Sequence, residues 1–320
     1  MTRPKYTIGI DVGGTKMLAV AVDASGLSDA DDIALASLQV PTPDDPGEMV
    51  QAAVGLVERL TERTSGHLAA IGLGLPGFIG LDGIARQAPN LPGIINRDIV
   101  GELRERVGVP VRADNDANCA AWAAACLDAP DASMVVAITL GTGIGGGLVI
   151  DGHLVRGAHG FAGEPGHMIV DPTGPECVCG QQGCWEVWAS GSGLARLAAA
   201  AVNEGRAPGL ASLRGVLDGP KVMSLADSGD AEAGAVLREF GRWVAVGLVN
   251  LVNLVDPDVV VLSGGIVVAG DALLGVIETE LAQFATMQRG RRLDLRISSV
   301  GPEAGAIGAA LLAAAAALDE

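Results

Sequence analysis

The first forty residues contain three stretches in which apolar residues alternate or run together, as they do in β-strands. These stretches extend over 6–12, 17–22 and 33–40. Gly13-Gly14 separates the first two, and a small polar segment at 23–26 ends the second. Short β-rich runs bounded by Gly and Asp are typical of strands joined by turns. The pattern therefore predicts that the chain opens with a strand–turn–strand unit and a third strand.

The rest of the chain alternates between helical and strand-like patterns. In the helical stretches apolar residues recur every three or four positions, whereas in the strands they run together over short segments. The predicted helices cover 48–63, 98–107, 117–127, 233–255 and 304–318, and the predicted strands cover 68–75, 109–113, 134–140, 148–150 and 259–262. The glycine-rich segment 141–147 is predicted to be a turn. A strand, a glycine-rich turn and a return strand thus occur twice, which predicts two similar α/β domains with a cleft between them.

Length and charge narrow the class of protein. A chain of 320 residues is long for one hydrophobic core, so two domains are expected. The net charge of −17 excludes nucleic acid and anionic membrane surfaces as partners, because such binders need a basic surface. The longest apolar run, 306–318, is too short to span a bilayer, and the N-terminal residues contain no signal peptide. We therefore expect a cytoplasmic protein with reduced thiols.

The segment from Glu164 to Glu186 contains the most specific chemistry. It contains His167, Cys177, Cys179 and Cys184, a soft ligand set that suits a closed tetrahedral zinc site. The alternative is a disulfide or buried thiols, but Cys177 and Cys179 are too close in sequence to bridge easily. Glu164 and Glu186 flank the set, and carboxylates held in place here are suited to accepting hydrogen bonds from sugar hydroxyls.

Two glycine-rich loops are candidates for phosphate binding. In the segment 11–16 an acid ends a strand and is followed by Gly-Gly-Thr-Lys, where glycines allow backbone N–H groups to approach a ligand. An ordinary hairpin turn is the alternative. The segment 141–146 satisfies the G-x-G-x-x-G pattern of dinucleotide-binding proteins, but a strand rather than a helix follows it. A glycine-rich hairpin tip that approaches phosphates fits this second segment better.

Asp116 is the candidate base. It lies between a predicted strand and a predicted helix, where a carboxylate can accept the proton of an attacking hydroxyl while Asn115 orients that hydroxyl. Capping of the helix N-terminus is the alternative, since Asp and Asn commonly do this. Taken alone, the segment favours the cap, and only its combination with two phosphate loops favours the base.

Together these segments resemble the ROK family of bacterial sugar kinases, most closely its ATP-dependent glucokinases. The resemblance runs from Tyr6 to the final helix. The motifs that carry it are 11–16, 114–118, 140–147, 163–167 and 177–186. It implies the two-lobed actin-like ATPase (ribonuclease H-like) fold. We accordingly expect a small α/β domain at 1–115 and 303–320, and a large α/β domain at 116–302.

The resemblance also implies a role for each motif. By this resemblance, Asp116 is the base that activates the 6-hydroxyl of a hexose, and D-glucose is the expected hexose. ATP with Mg²⁺ is the phosphoryl donor. The residues implied to hold the sugar are Gly77, Asn90, Asn115, Asp116, Glu164, His167 and Glu186. Those implied to bind Mg-ATP are Asp11, Gly13, Gly14, Thr15, Lys16, Thr142, Gly143, Gly264 and Gly265, with Asp11 acting on Mg²⁺ through water. Structural Zn²⁺ is implied at His167, Cys177, Cys179 and Cys184.

Other acceptors and other classes stay open at this point. N-acetylmannosamine, fructose, allose or N-acetylglucosamine are alternative acceptors, and polyphosphate is an alternative donor that would favour a more basic groove. A sugar sensor without catalysis would need neither Asp116 nor the phosphate loops. A nicotinamide-dependent oxidoreductase rests on the Gly141 loop alone.

The sequence also departs from the family pattern. After Asn90-Leu91 the family often has a Trp, where this chain has Pro92-Gly93-Ile94-Ile95, so detail on this side of the sugar site is less defined. The family's repressors carry a helix-turn-helix before the first phosphate loop, where only a few residues stand here. We therefore expect no DNA binding, and a homodimer as the oligomeric state.

Overall fold

The computed structural model of the chain describes residues 5–23, 33–212, 217–268, 271–284 and 293–318. Their elements alternate between strands and helices, in agreement with the α/β class expected from the sequence. Contacts between Cα atoms divide the chain into two compact units. The first unit consists of 1–137, 147–163 and 298–320, and the second consists of 138–146 and 164–297.

The elements of the first 140 residues follow the predicted order. They are β1 (Lys5–Val12), β2 (Lys16–Asp23), β3 (Ala34–Pro41), α1 (Pro46–Arg63), β4 (His67–Leu75), β5 (Phe78–Ile79), β6 (Ala85–Gln87), α2 (Ile99–Val107), β7 (Val111–Asn115), α3 (Asp116–Leu127) and β8 (Met134–Leu140). A short 3₁₀ helix, Pro92–Ile94, lies between β6 and α2. Capping carboxylates begin two of the helices: Asp45 accepts from the backbone of α1, and Asp98 accepts from the backbone of α2.

The remaining elements are mostly helical. They are β9 (Ile144–Ile150), β10 (His153–Leu154), α4 (Trp185–Ala189), α5 (Gly191–Asn203), α6 (Pro208–Ala211), α7 (Gly219–Asp227), α8 (Ala231–Val255), β11 (Val259–Ser263), α9 (Gly265–Val268), α10 (Asp271–Phe284), β12 (Asp294–Ile297) and α11 (Ala304–Leu318). Two 3₁₀ helices, Pro165–His167 and Gly301–Glu303, complete them. Among the described residues, no helix combines the length and the apolar character that a membrane crossing requires.

Two five-stranded sheets organise these elements, one in the order β3-β2-β1-β4-β7 and one in the order β10-β9-β8-β11-β12. In the first sheet β1, β2 and β3 are antiparallel neighbours, whereas β4 pairs with β1 and with β7 in parallel. The parallel strands β1, β4 and β7 therefore end at the same edge of the sheet. Asp11, Gly74 and Asp114 lie side by side in register at that edge.

Helix α11 packs directly on the backbone of this sheet. A Cβ atom added to Gly9 in β1 would lie 1.7 Å from the Ala306 carbonyl oxygen, and one added to Gly72 in β4 would lie 1.9 Å from the Ala309 carbonyl oxygen. Gly308 of the helix approaches the Cys119 carbonyl oxygen of α3 in the same way. Glycine is required here because any side chain would separate the two layers. Helix α11 is rich in alanine, and such small side chains allow the helix to approach the sheet this closely.

In the second unit, helix α8 packs against the aromatic residue that follows the cysteine segment. Trp185 is fully buried, and its indole Nε1 donates to the Trp243 carbonyl oxygen at 2.8 Å. Gly247 lies against the same ring, because an added Cβ would be 2.0 Å from a ring carbon. This packing holds the start of α4, where the last cysteine of the candidate metal set stands.

Two predicted elements are corrected. The segment 141–147 was predicted to be a turn throughout, but β9 already begins at Ile144. Gly147 is needed for close packing rather than for a turn, since an added Cβ would lie 2.5 Å from the Ala121 Cβ. The strand predicted at 109–113 runs instead from Val111 to Asn115. Pro110, which lacks an N–H group, precedes it, and the motif 114–118 therefore spans the end of the strand.

The division by contacts also differs from the expected domain boundary between 115 and 116. It keeps 116–137 with the first unit, because α3 packs closely on α11 through Gly308. The boundary expected between residues 115 and 116 therefore stays a prediction.

Candidate active site and metal centre

The first phosphate loop is a tight turn between β1 and β2. Gly13 N donates to the Lys16 carbonyl oxygen at 2.9 Å, and the Thr42 hydroxyl donates to the Gly13 carbonyl oxygen at 2.7 Å. Thr42 N donates in turn to the Thr15 carbonyl oxygen. The loop is thus held from the end of β3 by a residue that the sequence analysis did not identify, since only the fold brings Thr42 to the loop.

The same loop contacts a residue predicted to hold the sugar. Gly14 is exposed, and a Cβ atom added to it would lie 3.3 Å from the Asn90 Cβ. The first unit therefore brings a predicted nucleotide residue next to a predicted sugar residue. A side chain at position 14 would compete with Asn90 for this space.

Asp11 and Asp116 lie close together at the edge where the parallel strands end. Gly74 lies next to both, since its Cβ would be 3.8 Å from Asp11 Oδ1 and 3.6 Å from the Asp116 Cα. Burial, and after it the negative charge of Asp116, raises the pKa of Asp11 to about 6, while Lys16 opposes the shift. Burial likewise raises the pKa of Asp116. Two carboxyl groups with raised pKa values are suited to acid–base chemistry or to a divalent cation.

Two glycines lie beside these carboxyl groups, Gly74 at ordinary contact distance and Gly305 closer. Gly305 lies in the first turn of α11, and a Cβ atom added to it would lie 3.0 Å from Asp11 Cγ. Neither glycine was predicted from the sequence to belong to the site. Alternation of Gly72 and Gly74 along one face of β4 is a signal that could have identified Gly74, whereas the position of Gly305 depends on how α11 packs.

The helix cap beside Asp116 is Asn115. Its Oδ1 accepts from Asn118 N at 3.0 Å, and its Nδ2 donates to the Gly77 carbonyl oxygen at 2.9 Å. Asp116 is the first residue of α3, and its Oδ1 accepts from Ala117 N at 2.8 Å. The capping role considered for Asp116 is therefore filled by its neighbour. Gly77 has φ +93°, and an added Cβ would lie 2.0 Å from a carbonyl oxygen, so this position requires glycine.

In the second unit, the second phosphate loop lies against Glu186. Gly141 N donates to the Gly143 carbonyl oxygen at 3.0 Å, which turns the chain around Thr142. A Cβ added to Gly143 would lie 2.7 Å from Glu186 Oε2, and Ile144 N is 3.5 Å from the same oxygen. A predicted nucleotide residue and a predicted sugar residue are thus neighbours in this unit too.

Gly264 and Gly265, which the resemblance implies to bind Mg-ATP, lie in the loop that follows β11. Gly264 has φ +97°, and an added Cβ would lie 2.4 Å from the Leu140 carbonyl oxygen, so it packs on the end of β8. The Ser263 and Thr139 hydroxyls lie 3.0 Å apart. Gly265 begins the short helix α9. The contact of this loop with the nucleotide stays a proposal.

The four candidate zinc ligands come together. The ligand atoms of His167, Cys177, Cys179 and Cys184 all lie within 4.8 Å of one another. Cys177 Sγ is 3.7 Å from His167 Nδ1, and Cys179 Sγ is 3.6 Å from Cys184 Sγ. Ligands at zinc distances of roughly 2.0 to 2.3 Å in a tetrahedron stand about 3.5 to 3.8 Å apart. The set therefore fits one tetrahedral ion, and all five cysteines are free of disulfides.

Glu186 lies directly beside this cluster. Its Oε1 is 3.0 Å from Cys177 Sγ and 3.7 Å from His167 Nδ1. Glu164 stands at the start of the 3₁₀ helix that carries His167, and its carbonyl oxygen accepts from His167 N at 3.1 Å. The metal set, the Glu186 carboxylate and the Glu164 backbone thus form one local structure in the second unit.

The predicted site residues divide between the two units. The first contains Asp11, Gly13, Gly14, Thr15, Lys16, Gly77, Asn90, Asn115 and Asp116, and the second contains Thr142, Gly143, Glu164, His167, Cys177, Cys179, Cys184, Glu186, Gly264 and Gly265. The contacts described above each lie within one of the two units.

The fold and these motifs define a sugar kinase with the actin-like ATPase fold. The chain belongs to the ROK family, because the model described as "ROK family" matches residues 7–316. The family and fold expected from the sequence are thereby confirmed.

Individual relatives agree with this assignment. A glucokinase of Halalkalibacterium halodurans is 36% identical over 318 residues, which cover 95% of this chain and 93% of that protein. An N-acetylmannosamine kinase of Escherichia coli is 33% identical over 308 residues, with coverage of 96% and 98%. The solved structure of a ROK family glucokinase from Streptomyces griseus, in complex with glucose and AMPPNP, is 34% identical with a TM-score of 0.79. It covers 96% of this chain and 99% of that one.

Proposed function

We propose that this chain transfers the γ-phosphoryl group of Mg-ATP to the 6-hydroxyl of a hexose, with D-glucose as the preferred acceptor. The observation that carries the proposal is the proximity of Asp11, near the end of β1, and Asp116, directly after β7, beside the first phosphate loop. The glucokinase relative at 36% identity supports glucose as the acceptor.

Asp116 serves as the general base in this proposal. Burial raises its pKa, which makes the carboxylate a better proton acceptor than an exposed aspartate would be. Its Oδ1 is oriented by Ala117 N, so the group is held in one direction. Phosphoryl transfer depends mainly on alignment and charge neutralisation, so one such carboxylate and a metal-bound nucleotide suffice.

Asp11 acts on Mg²⁺ through water, and a bound cation would stabilise its buried charge. The phosphates are held by backbone N–H groups and side chains of 13–16, together with Thr142 and Gly143. Adenosine lies against Gly264 and Gly265. The tight turn that Thr42 braces supports this role, since a rigid loop presents its N–H groups without further ordering.

The sugar is selected by groups that hydrogen-bond in fixed directions. The residues proposed for this are Gly77, Asn90, Asn115, Glu164, His167 and Glu186. The Asn115 amide is held by Gly77 and Asn118, which supports a fixed orientation toward a ligand. A wrong isomer that left one such group unpaired would lose about 1 to 3 kcal/mol.

Zinc is proposed to be structural. His167, Cys177, Cys179 and Cys184 would hold it, and the ion would neutralise thiolates that stand beside the Glu186 carboxylate. With Nδ1 facing the cluster, His167 keeps Nε2 for the sugar, so one residue links both sites. We further propose a cytoplasmic homodimer, which light scattering during gel filtration would test.

The experiment is a coupled assay of ADP release across glucose, mannose, fructose, allose, N-acetylmannosamine and N-acetylglucosamine. Glucose is expected to give the highest kcat/KM, and release is expected to require both sugar and Mg²⁺. The N-acetylmannosamine kinase relative makes that sugar the main competitor. Glucose binding in calorimetry with no turnover of any sugar would instead indicate a sensor.

Asp116→Asn tests the base within the same assay. We expect kcat to fall by at least about 100-fold while glucose still binds. Asp98→Asn is the matched control, because Asp98 caps α2 in the same unit and asparagine caps helices equally well. Turnover retained in Asp116→Asn would remove Asp116 as the base.

A further inference from the structure

A buried ion pair lies immediately before the proposed base. Asp114, in β7, is 8% exposed, and its Oδ2 accepts from Arg156 Nε at 2.6 Å. Arg156 follows β10 and belongs to the same compact unit as β7. Neither residue was assigned a role by the sequence analysis, although Asp114 stands within one of the motifs.

The second oxygen of Asp114 ties the strand to the helix. Oδ1 accepts from Asn115 N and from Asn118 Nδ2, both at 2.9 Å. Asn118 lies in the first turn of α3, and its own backbone N donates to the cap Asn115. The Asp114 carboxylate therefore holds the residues on both sides of Asp116, and Arg156 holds that carboxylate.

We propose that Arg156 is a positioning residue for Asp116, acting through Asp114. The inference rests on the proposed function, because it assigns Arg156 to the same phosphoryl transfer. Burying a carboxylate anion is costly unless a cation or hydrogen bonds compensate its charge, and Arg156 supplies the cation for Asp114. Without Arg156, Asp114 gains by turning toward solvent, which releases Asn115 N and Asn118 from their acceptor. Asp116 then loses its fixed direction, and small misplacements of a reacting group are costly in rate.

The ion pair between Asp114 and Arg156 lies beside a cavity, which allows the role of Arg156 to be tested by chemical rescue. Asp114 and Arg156 both line a cavity of about 470 Å³ in the first unit, whose other walls include Arg104, Arg112, Leu73 and Leu312. Arg156 is 38% exposed, so its truncation would leave a space that solvent reaches. A free guanidinium ion can therefore take the place of the missing side chain and pair with Asp114 again.

Arg156→Ala is expected to lower kcat by roughly 10- to 100-fold, while KM for sugar and for ATP changes less than about twofold. Guanidinium chloride at low millimolar concentration is expected to restore at least a third of the lost kcat, whereas the same concentration of sodium chloride restores none. Arg156→Lys is expected to keep an intermediate kcat, since lysine supplies the charge but not the planar fork. It also serves for the comparison if Arg156→Ala does not fold.

Arg97→Ala is the matched control. Arg97 forms a two-contact ion pair with Glu102 at 2.6 and 2.8 Å in the same unit, and it is 35% exposed. Its loss should lower thermal stability, keep kcat within twofold and give no response to guanidinium. The inference would be overturned if Arg156→Ala retained kcat. It would also be overturned if Arg156→Ala lost kcat without responding to guanidinium and Arg97→Ala lost kcat to the same extent. Inactivity of the wild type toward every sugar would instead contradict the proposed function.

Discussion

Asp11 and Asp116 both lie against Gly74, since a Cβ atom added to it would be 3.8 Å from Asp11 Oδ1 and 3.6 Å from the Asp116 Cα. Burial first, and then the charge of Asp116, raises the pKa of Asp11 to about 6 from an ordinary value of 3.8. Without a cation, the folded protein therefore holds a charge at neutral pH that the unfolded chain would hold more easily. The folded protein is therefore less stable at this edge of the sheet, where the two carboxyl groups form the site proposed above for a divalent cation.

The first prediction is that Asp11→Asn stabilises the protein without nucleotide and Mg²⁺. Between the unfolded pKa of 3.8 and the folded value of about 6, the folded state binds more protons, so its stability falls as pH rises through this window. The substitution removes this cost, which is at most about 3 kcal/mol above pH 6 and shrinks toward pH 4. Urea unfolding between pH 5 and pH 8 measures the difference.

Asp82→Asn is the control for this series, because it should change stability by the same amount at every pH between 5 and 8. Asp82 is exposed, and the hydrogen bond from Ile84 N holds its pKa below the ordinary value of 3.8, so its contribution is lost only as pH falls below that value. Asp11→Asn is expected to lose turnover while gaining stability. Identical pH profiles of stability for Asp11→Asn and the wild type would show that the Asp11 charge carries no cost.

The second prediction concerns the contact between Gly143 and Glu186. Gly143→Ala would place a methyl group 2.7 Å from Glu186 Oε2 and displace that carboxylate. Loss of one hydrogen bond to the sugar is worth about 1 to 3 kcal/mol, so KM for the sugar should rise between roughly 5- and 100-fold. Initial rates over a range of sugar concentrations at saturating ATP measure it.

Gly141→Ala is the matched control in the same loop. The nearest atom to its added Cβ lies 4.0 Å away, so no displacement of Glu186 is expected. If both variants changed KM for ATP and left KM for the sugar alone, Glu186 would have no part in sugar binding.

Much of the fold follows from periodicity alone. The closing helix was predicted at 304–318 and is observed over the same residues, because an alanine-rich run after a proline can form little else. The candidate metal set was predicted residue for residue, since its ligands lie within one short segment. Features of this kind can be predicted from the sequence because the residues that form them lie close together along the chain.

The residues that were missed depend on contacts between distant segments. Thr42 braces the first phosphate loop, Gly305 makes room for Asp11, and Arg156 pairs with Asp114 across 42 positions. No spacing rule predicts these partners. Gly147 shows the converse error, since a glycine that serves packing against α3 was interpreted as part of a turn.

The third prediction tests the glycine packing beneath α11. Gly72→Ala would place its Cβ 1.9 Å from the Ala309 carbonyl oxygen, so the helix has to move away from the sheet. Such overpacking costs about 1 to 3 kcal/mol. Gly55→Ala, in the middle of α1 with open space around the added Cβ, should instead stabilise by up to about 1 kcal/mol. Urea midpoints that move in the same direction for both variants would contradict this account of the layer.

The last prediction concerns the metal centre. Protein purified without chelator is expected to contain one zinc ion per chain by elemental analysis, and Cys179→Ser is expected to lose most of it. Cys126→Ser, on α3 and far along the chain from the cluster, should retain the ion. Loss of zinc leaves the Glu186 carboxylate beside thiol groups rather than a neutralised cluster, so KM for the sugar should rise more than KM for ATP. Cys179→Ser that binds zinc as the wild type does would remove Cys179 from the ligand set, while absence of zinc from the wild type would remove the site itself.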